Sequence, residues 1–288
     1  MKLNAAKNKV LFALLGVLLV VGLVTGLLVY SCQSDDAANS RVIAVSIQPQ
    51  RYLLEQLTAG HFDVVCLLQD DANPESYEPA MNNIMALEQC RAYFMIGHIG
   101  FEAAILSKLS ASRPDLDVID TSAGVRLVPD NSASNEPDPH VWTSLSNAKI
   151  IADNMHRALI DLDAPHRSDY DRCYARLTVR LDSIDAAMRT QLAARTDTAF
   201  VVWHPWLTYL AYDYGLHQIA VENENTPATP ARVQHVVAQA REMNVGIVFS
   251  HRDVDGRTAQ LARDINARLV DINPMAHDWY QQLPTLFQ

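Results

Sequence analysis

The feature that most constrains the fold is an uninterrupted helical stretch in the middle of the chain. Residues 168–194 contain no glycine or proline. Apolar side chains recur along this stretch at spacings of four and three, at Tyr170, Tyr174, Leu177, Leu181, Ile184 and Met188. This period predicts one helix with a single buried stripe, about 40 Å long at about 1.5 Å per residue. A helix of that length is a stiff connector, and we assign residues 166–197 to it.

Short apolar runs alternate with amphipathic stretches on both sides of this helix, which is typical of parallel α/β layers. Four runs precede the helix and four follow it, at residues 41–47, 64–68, 92–96, 116–119, 200–203, 218–221, 245–249 and 268–272. We therefore predict an α/β fold with two four-stranded lobes, 41–165 and 198–288, joined by the long rigid helix. Open parallel sheets bind ligands at the carboxyl ends of their strands, so we expect a ligand cleft between the lobes.

The N-terminus has the layout of a secretory signal. Three lysines precede an uncharged apolar run over residues 10–29, which is also long enough to span a bilayer as an uncleaved helix. The sequence Val29-Tyr30-Ser31-Cys32 places a small residue before a cysteine and resembles a bacterial lipobox. We therefore expect a lipoprotein signal peptide at 1–31, a lipidated Cys32 and a polar tether at 32–40. The folded part would then be extracytoplasmic, in the cell envelope, and held at the lipid bilayer through Cys32.

Charge and cysteine content narrow the classes of partner and site. The formal net charge of −10 disfavours binding to a phosphate backbone, so we expect no nucleic-acid partner. The three cysteines beyond Cys32 are Cys66, Cys90 and Cys173, and their spacing matches no zinc motif. Cys66 lies in an apolar run and Cys173 in the helical pattern, so we expect both to be buried thiols. A Cys66–Cys90 disulfide stays open as an alternative.

Three segments place a metal-capable side chain beside a proline where a strand should open into the cleft. They are NPESYEP with Glu75, DPHVWTS with His140, and WHPW with His204. Proline stiffens the backbone, and a small ion needs ligands held in fixed positions. A single histidine before a proline is more often a turn residue. The arrangement over two lobes is what favours a shared metal site.

The chain from Arg41 to about Trp279 resembles the zinc and manganese solute-binding lipoproteins of ABC importers, the ZnuA/TroA type. The resemblance rests on DPHVW, on HPWLTYLAYDYGL from His204, on NPESYEP and on the long helix. It implies that His140 and His204 are metal ligands. That family usually has histidine at the position of Glu75, and the resemblance assigns the ligand role to Glu75 because a carboxylate oxygen also binds zinc or manganese. It also implies a membrane permease of an ABC importer as partner, and we expect a monomer.

Several alternatives stay open at this point. The fourth ligand is His251, Asp271, Asn273 or water, with His98 as a more distant candidate. Two imidazoles and one carboxylate favour zinc, with manganese as the alternative. A zinc-dependent hydrolase or chelatase-like enzyme would need a general base beside the metal, and the chain has no HExxH or nucleophile-elbow motif. We therefore expect no enzyme. A surface adhesin lipoprotein is the remaining class.

Overall fold

The structure is a computed structural model that describes residues 40–68, 72–129, 137–222, 227–251 and 256–288. The predicted signal peptide, the lipidation site Cys32 and all but the last residue of the tether lie outside these residues. Within the described ranges, none of the helices has the length and hydrophobicity needed to cross a membrane.

Each half of the chain forms one four-stranded parallel sheet, and the two sheets share the same strand order. The first has the order β2-β1-β3-β4, and the second has the order β6-β5-β7-β8. Their strands are β1 (Val42–Val45), β2 (Asp63–Cys66), β3 (Ala92–Met95), β4 (Asp117–Asp120), β5 (Ala199–Val202), β6 (His217–Ala220), β7 (Ile247–Ser250) and β8 (Arg268–Asp271). The prediction of two four-stranded α/β lobes is confirmed, and the predicted strand ends differ from these by a few residues.

The central strands of each sheet are buried on both faces, which explains why almost all of their residues are apolar. Both β5 and β7 are buried along their whole length. The helices of the first lobe are α1 (Gln48–Leu57), α2 (Met81–Glu88), α3 (Gly100–Ser112) and α4 (Leu145–Leu162). Those after the long helix are α6 (Thr208–Tyr214), α7 (Pro230–Glu242), α8 (Arg257–Asp264) and α9 (Trp279–Gln282).

Capping residues explain where several of these helices begin and end. The Ser144 hydroxyl accepts a hydrogen bond from the Asn147 N–H at 2.9 Å at the start of α4. The Thr229 hydroxyl does the same for α7, which begins with Pro230. Gly215 ends α6 with a φ of 65°, a left-handed conformation that a residue with a Cβ rarely adopts. This last turn leads directly into β6.

The long helix α5 (Arg167–Ala193) has 27 residues and joins the two lobes. Its buried side chains are Tyr170, Cys173, Leu177, Leu181, Ile184 and Met188. The stripe differs from the predicted one at a single position, because Cys173 is buried and Tyr174 is half-buried. Neighbouring residues lie about 100° apart on a helix, so only one of the two can lie at the centre of the stripe. Tyr174 instead stacks on His156 of α4, with ring centroids 4.5 Å apart.

The cysteines of the described ranges are thiols. Cys90 and Cys173 are buried, and burial raises the pKa of the Cys90 thiol to about 11, which keeps it protonated. Cys66 is half-buried and donates a hydrogen bond to the Leu68 carbonyl, with Sγ 3.2 Å from the oxygen. The possible Cys66–Cys90 disulfide is therefore not formed.

The two lobes share an apolar core and are also joined by buried hydrogen bonds. One hydrophobic cluster contains side chains of both sheets, of α5 and of the C-terminal segment. The Trp142 indole in the first lobe donates to the Pro274 carbonyl in the second at 3.0 Å. The Tyr280 hydroxyl in the second lobe donates a hydrogen bond to the Trp142 carbonyl in the first at 3.0 Å. These contacts fix the lobes against each other and define one side of the cleft.

Candidate metal centre

The structure brings Glu75, His140 and His204 together between the lobes. Glu75 lies in the segment after β2, His140 lies just before α4, and His204 lies just after β5. One donor atom from each of the three lies within 4.8 Å of the others. In the second lobe, β5 has β6 on one side and β7 on the other, so His204 leaves the sheet where the strand order reverses. This is the position at which open α/β sheets bind ligands.

The distances between the donor atoms suit a single tetrahedral ion. Glu75 Oε1 lies 2.9 Å from His204 Nε2 and 3.2 Å from His140 Nε2. Zinc bonds of about 2.0–2.1 Å in a tetrahedron separate ligand atoms by about 3.3 Å. The Glu75 oxygen therefore needs to move away from the two nitrogens by only a few tenths of an ångström to admit an ion. The two imidazole rings stand nearly perpendicular, at 84°, with their centroids 5.3 Å apart.

Asp138 holds the His140 ring from behind. Its Oδ1 accepts from the His140 backbone N–H at 2.8 Å and lies 3.0 Å from His140 Nδ1. Both side chains are fully buried. A carboxylate in this position fixes the ring and leaves the opposite nitrogen, Nε2, to face the Glu75 carboxylate. Asp138 is not among the residues predicted from the sequence to form the site. A carboxylate two residues before the histidine, across a proline, was the available signal.

A tryptophan supports both imidazoles. The Trp206 ring lies 4.7 Å from the centroids of both His140 and His204. His140 is completely buried, whereas the His204 side chain is 16% exposed and that of Glu75 is 15% exposed. The site is therefore open to solvent on the side of Glu75 and His204 and closed to solvent at His140.

Local hydrogen bonds hold the segment that carries Glu75. The Asn73 side-chain oxygen accepts from the Glu75 N–H at 2.9 Å and forms a tight turn around Pro74. Further along, the Tyr77 hydroxyl donates to the Asn83 side chain at 2.8 Å. Asn83 in turn donates to the carbonyl of Leu67, just after β2, at 2.9 Å. These bonds tie the loop to the sheet and limit how far Glu75 can move.

No fourth His, Cys, Asp or Glu of the described ranges joins the three donors. His251 uses Nδ1 for a hydrogen bond of 2.9 Å with the Ile272 carbonyl. The Asn273 side-chain oxygen accepts from a backbone N–H two residues further on at 3.0 Å. Asp271 is exposed at the end of β8. The identity of the fourth ligand stays a prediction.

Comparisons with known proteins agree with this architecture. The family model for zinc-uptake complex component A, periplasmic (ZnuA), matches residues 43–283. A crystal structure of ZnuA superposes with a TM-score of 0.80 at 29% identity, and the match covers 87% of this chain and 97% of that one.

Two curated relatives span most of the chain. The iron-binding protein YfeA of Yersinia pestis is 26% identical over 243 residues, which cover 82% of this chain and 77% of YfeA. The high-affinity zinc uptake system protein ZnuA of Bacillus subtilis is 20% identical over 257 residues, 84% of this chain and 81% of its own length. Because the family model covers the whole two-lobed part, the chain belongs to the ZnuA family of periplasmic zinc-uptake components.

Proposed function

We propose that the protein captures one zinc ion between its lobes through Glu75, His140 and His204, with water as the fourth ligand, and delivers it to the permease of an ABC importer. Extracytoplasmic metal capture and delivery to a membrane permease is the function of its family. The family consists of substrate-binding proteins, and the chain is not an enzyme. The assignment of the three ligands is the part that this protein's own geometry supports.

The observation that carries the proposal is the convergence of two histidine nitrogens, one from each lobe, on a single Glu75 oxygen. Two neutral imidazoles and one carboxylate give the ligand set a single negative charge, and the Asp138 carboxylate adds another behind His140. A divalent cation is the ligand that such a set binds best. The nitrogen donors favour zinc, and the Glu75 oxygen leaves manganese as the alternative cargo.

Substitution of the ligands tests the site. We expect His140→Ala and His204→Ala each to weaken zinc binding by at least about 100-fold, because two remaining ligands cannot complete a tetrahedron. Glu75→Ala should have a smaller effect. Competition titration against a chromogenic chelator measures all three variants. His217→Ala, which removes an exposed histidine at the start of β6, is the matched control. Wild-type affinity in both histidine variants would place the metal elsewhere.

We also propose that the chain is anchored by lipid on Cys32 and acts as a monomer. The apolar run followed by Ser31-Cys32 supports the anchor. Mass spectrometry of the mature N-terminus should find a diacylglyceryl cysteine and loss of residues 1–31. An intact Met1 in the membrane fraction would contradict it. Light scattering in detergent tests the monomer, and a dimer mass that persists on dilution would exclude it.

A further inference from the structure

A second group of metal-capable side chains lies at the opposite edge of the first lobe. His61, Asp163 and His166, called here the amino-edge cluster, each offer one donor atom within 4.8 Å of the others. His61 lies just before β2, while the other two lie between α4 and α5. The metal centre lies past the carboxyl ends of the strands, and the amino-edge cluster lies before their amino ends. At least the length of a four-residue strand, about 13 Å, separates the two.

The rings of the amino-edge cluster are held face to face. The centroids of His61 and His166 lie 3.8 Å apart, with 24° between the ring planes. Each neutral imidazole carries one nitrogen lone pair, which is the form that binds metals.

A carboxylate lies beside each ring. Asp163 Oδ2 lies 2.7 Å from His166 Nδ1, and Asp169 Oδ2 lies 3.0 Å from His61 Nε2. The buried Tyr170 donates its hydroxyl to Asp163 Oδ2 at 2.5 Å.

Carboxylates and guanidinium groups both surround the cluster. Asp163 and Asp169 contribute two negative charges, Arg172 pairs with Asp169 from the outside, and Arg91 donates to the Leu162 carbonyl next to Asp163. The Arg172 side chain is 65% exposed, so solvent screens much of its charge. The His61 side chain is 26% exposed and that of His166 is 46% exposed, so an ion can reach both. If His61–Asp169 and His166–Asp163 were only two separate surface ion pairs, nothing would require the His61 and His166 rings to stack.

We propose that the amino-edge cluster is a second, weaker binding site for zinc or a similar imidazole-preferring divalent ion, independent of the site in the cleft. His61, His166 and Asp163 supply the ligands, and water completes the shell. Asp169 orients His61, and Tyr170 orients Asp163. The ion cross-links the loop before β2 to the start of α5, two segments about 100 residues apart in sequence. Binding of an ion at the amino-edge cluster therefore stores that ion and also stabilises the first lobe.

The test is a zinc titration of the full-length chain, purified without a histidine tag, by isothermal titration calorimetry. We expect two zinc ions per wild-type chain, one tight and one weak. His61→Ala/His166→Ala should lose the weak ion and keep the tight one. His140→Ala/His204→Ala should lose the tight ion and keep the weak one. The two proposals are thus tested separately. A tight ion that is still bound by His140→Ala/His204→Ala contradicts the proposed function but does not contradict the amino-edge site.

His156→Ala is the matched control for the amino-edge cluster. His156 also pairs with an aspartate of α5, Asp171, at 2.8 Å, but belongs to no group of three donors in the described chain. Its variant should bind both ions. A second readout, side-chain nitrogen NMR of His140→Ala/His204→Ala, does not depend on how the His61 variant folds. Zinc should shift the ring nitrogens of His61 and His166 and leave those of His156 in place. Unshifted His61 and His166 nitrogens, or a weak ion retained by His61→Ala/His166→Ala, would overturn the proposal.

Discussion

Replacing Asp138 tests whether the carboxylate behind His140 contributes to metal affinity. Asp138→Ala removes both hydrogen bonds to His140, at 2.8 and 3.0 Å, together with a buried charge. Loss of an outer-shell partner of a ligating histidine typically weakens metal binding about 10–100-fold, or about 1.4–2.8 kcal/mol. Because Asp138 is the only carboxylate described against His140 Nδ1 and both groups are fully buried, we expect the upper end, about 100-fold.

Asp138→Asn separates charge from orientation. The amide oxygen can still accept both bonds from His140, so only the charge is lost, and we expect about 10-fold weaker binding. The amide nitrogen would replace Oδ2, a buried atom that makes no hydrogen bond to the described residues. An unsatisfied buried donor should also lower the free energy of unfolding by about 1–3 kcal/mol.

Competition titration at fixed pH measures the zinc affinity of both variants, and urea unfolding measures their stability. Asp120→Asn is the control, because Asp120 ends β4 near the same edge of the sheet but bonds to Ser122 instead of a histidine. The expected order of affinity is wild type equal to the control, then Asp138→Asn, then Asp138→Ala. If both Asp138 variants bind zinc like the control, the carboxylate does not act through His140 and this reasoning is wrong.

Four further predictions follow from the site and the fold. Glu75→His should keep zinc binding and increase the preference for zinc over manganese, since nitrogen replaces oxygen; an unchanged ratio in ion competition argues against Glu75 as a ligand. Zinc affinity should fall as pH drops through the imidazole range near about 6.5, because ligating nitrogens must be unprotonated; a flat pH profile contradicts ligation by histidine. Scattering with and without zinc should change the radius of gyration by less than about 1 Å against about 19 Å expected for this size, since α5 resists bending; a larger change means that the lobes hinge. Burial raises the pKa of Glu102 above its usual 4.5. The stability that protonated Glu102 contributes is therefore present below pH 4.5 and is lost as pH rises through the higher folded pKa. The free energy of unfolding of Glu102→Gln in urea should lack this loss, and a pH profile identical to that of wild type would refute the assignment.

The lobes and the connecting helix could be predicted from the sequence because each produces a strong local pattern. Strands covered by helices on both faces read as apolar runs, and α5 shows a regular helical period over its full length. The proximity of Glu75, His140 and His204 followed from a general rule, since parallel strands bring the segments at their carboxyl ends to one edge. Their role as ligands stays a prediction, as do the residue boundaries of the lobes.

Other features depend on contacts that no local pattern carries. The position of Asp138 behind His140 requires the ring to face back across Pro139, which the backbone turn decides. His61 and His166 belong to segments far apart in sequence, and neither matches a ligand motif. The choice of Cys173 over Tyr174 for the core depends on how α5 is rotated against α4. In each case tertiary packing determines which residue occupies the position, and the local sequence pattern does not distinguish the candidates.

The hydrophobic cluster shared by both lobes has a consequence for how the protein denatures. Side chains of the first sheet, α5, the second sheet and the C-terminal segment belong to this one cluster. Exposing the inner face of either lobe therefore also uncovers apolar surface of the other, so neither lobe should melt on its own. Calorimetry should record a single cooperative transition, with calorimetric and van't Hoff enthalpies in agreement. An ion bound in the cleft then protects the whole chain, and its binding energy appears as a rise in one melting temperature.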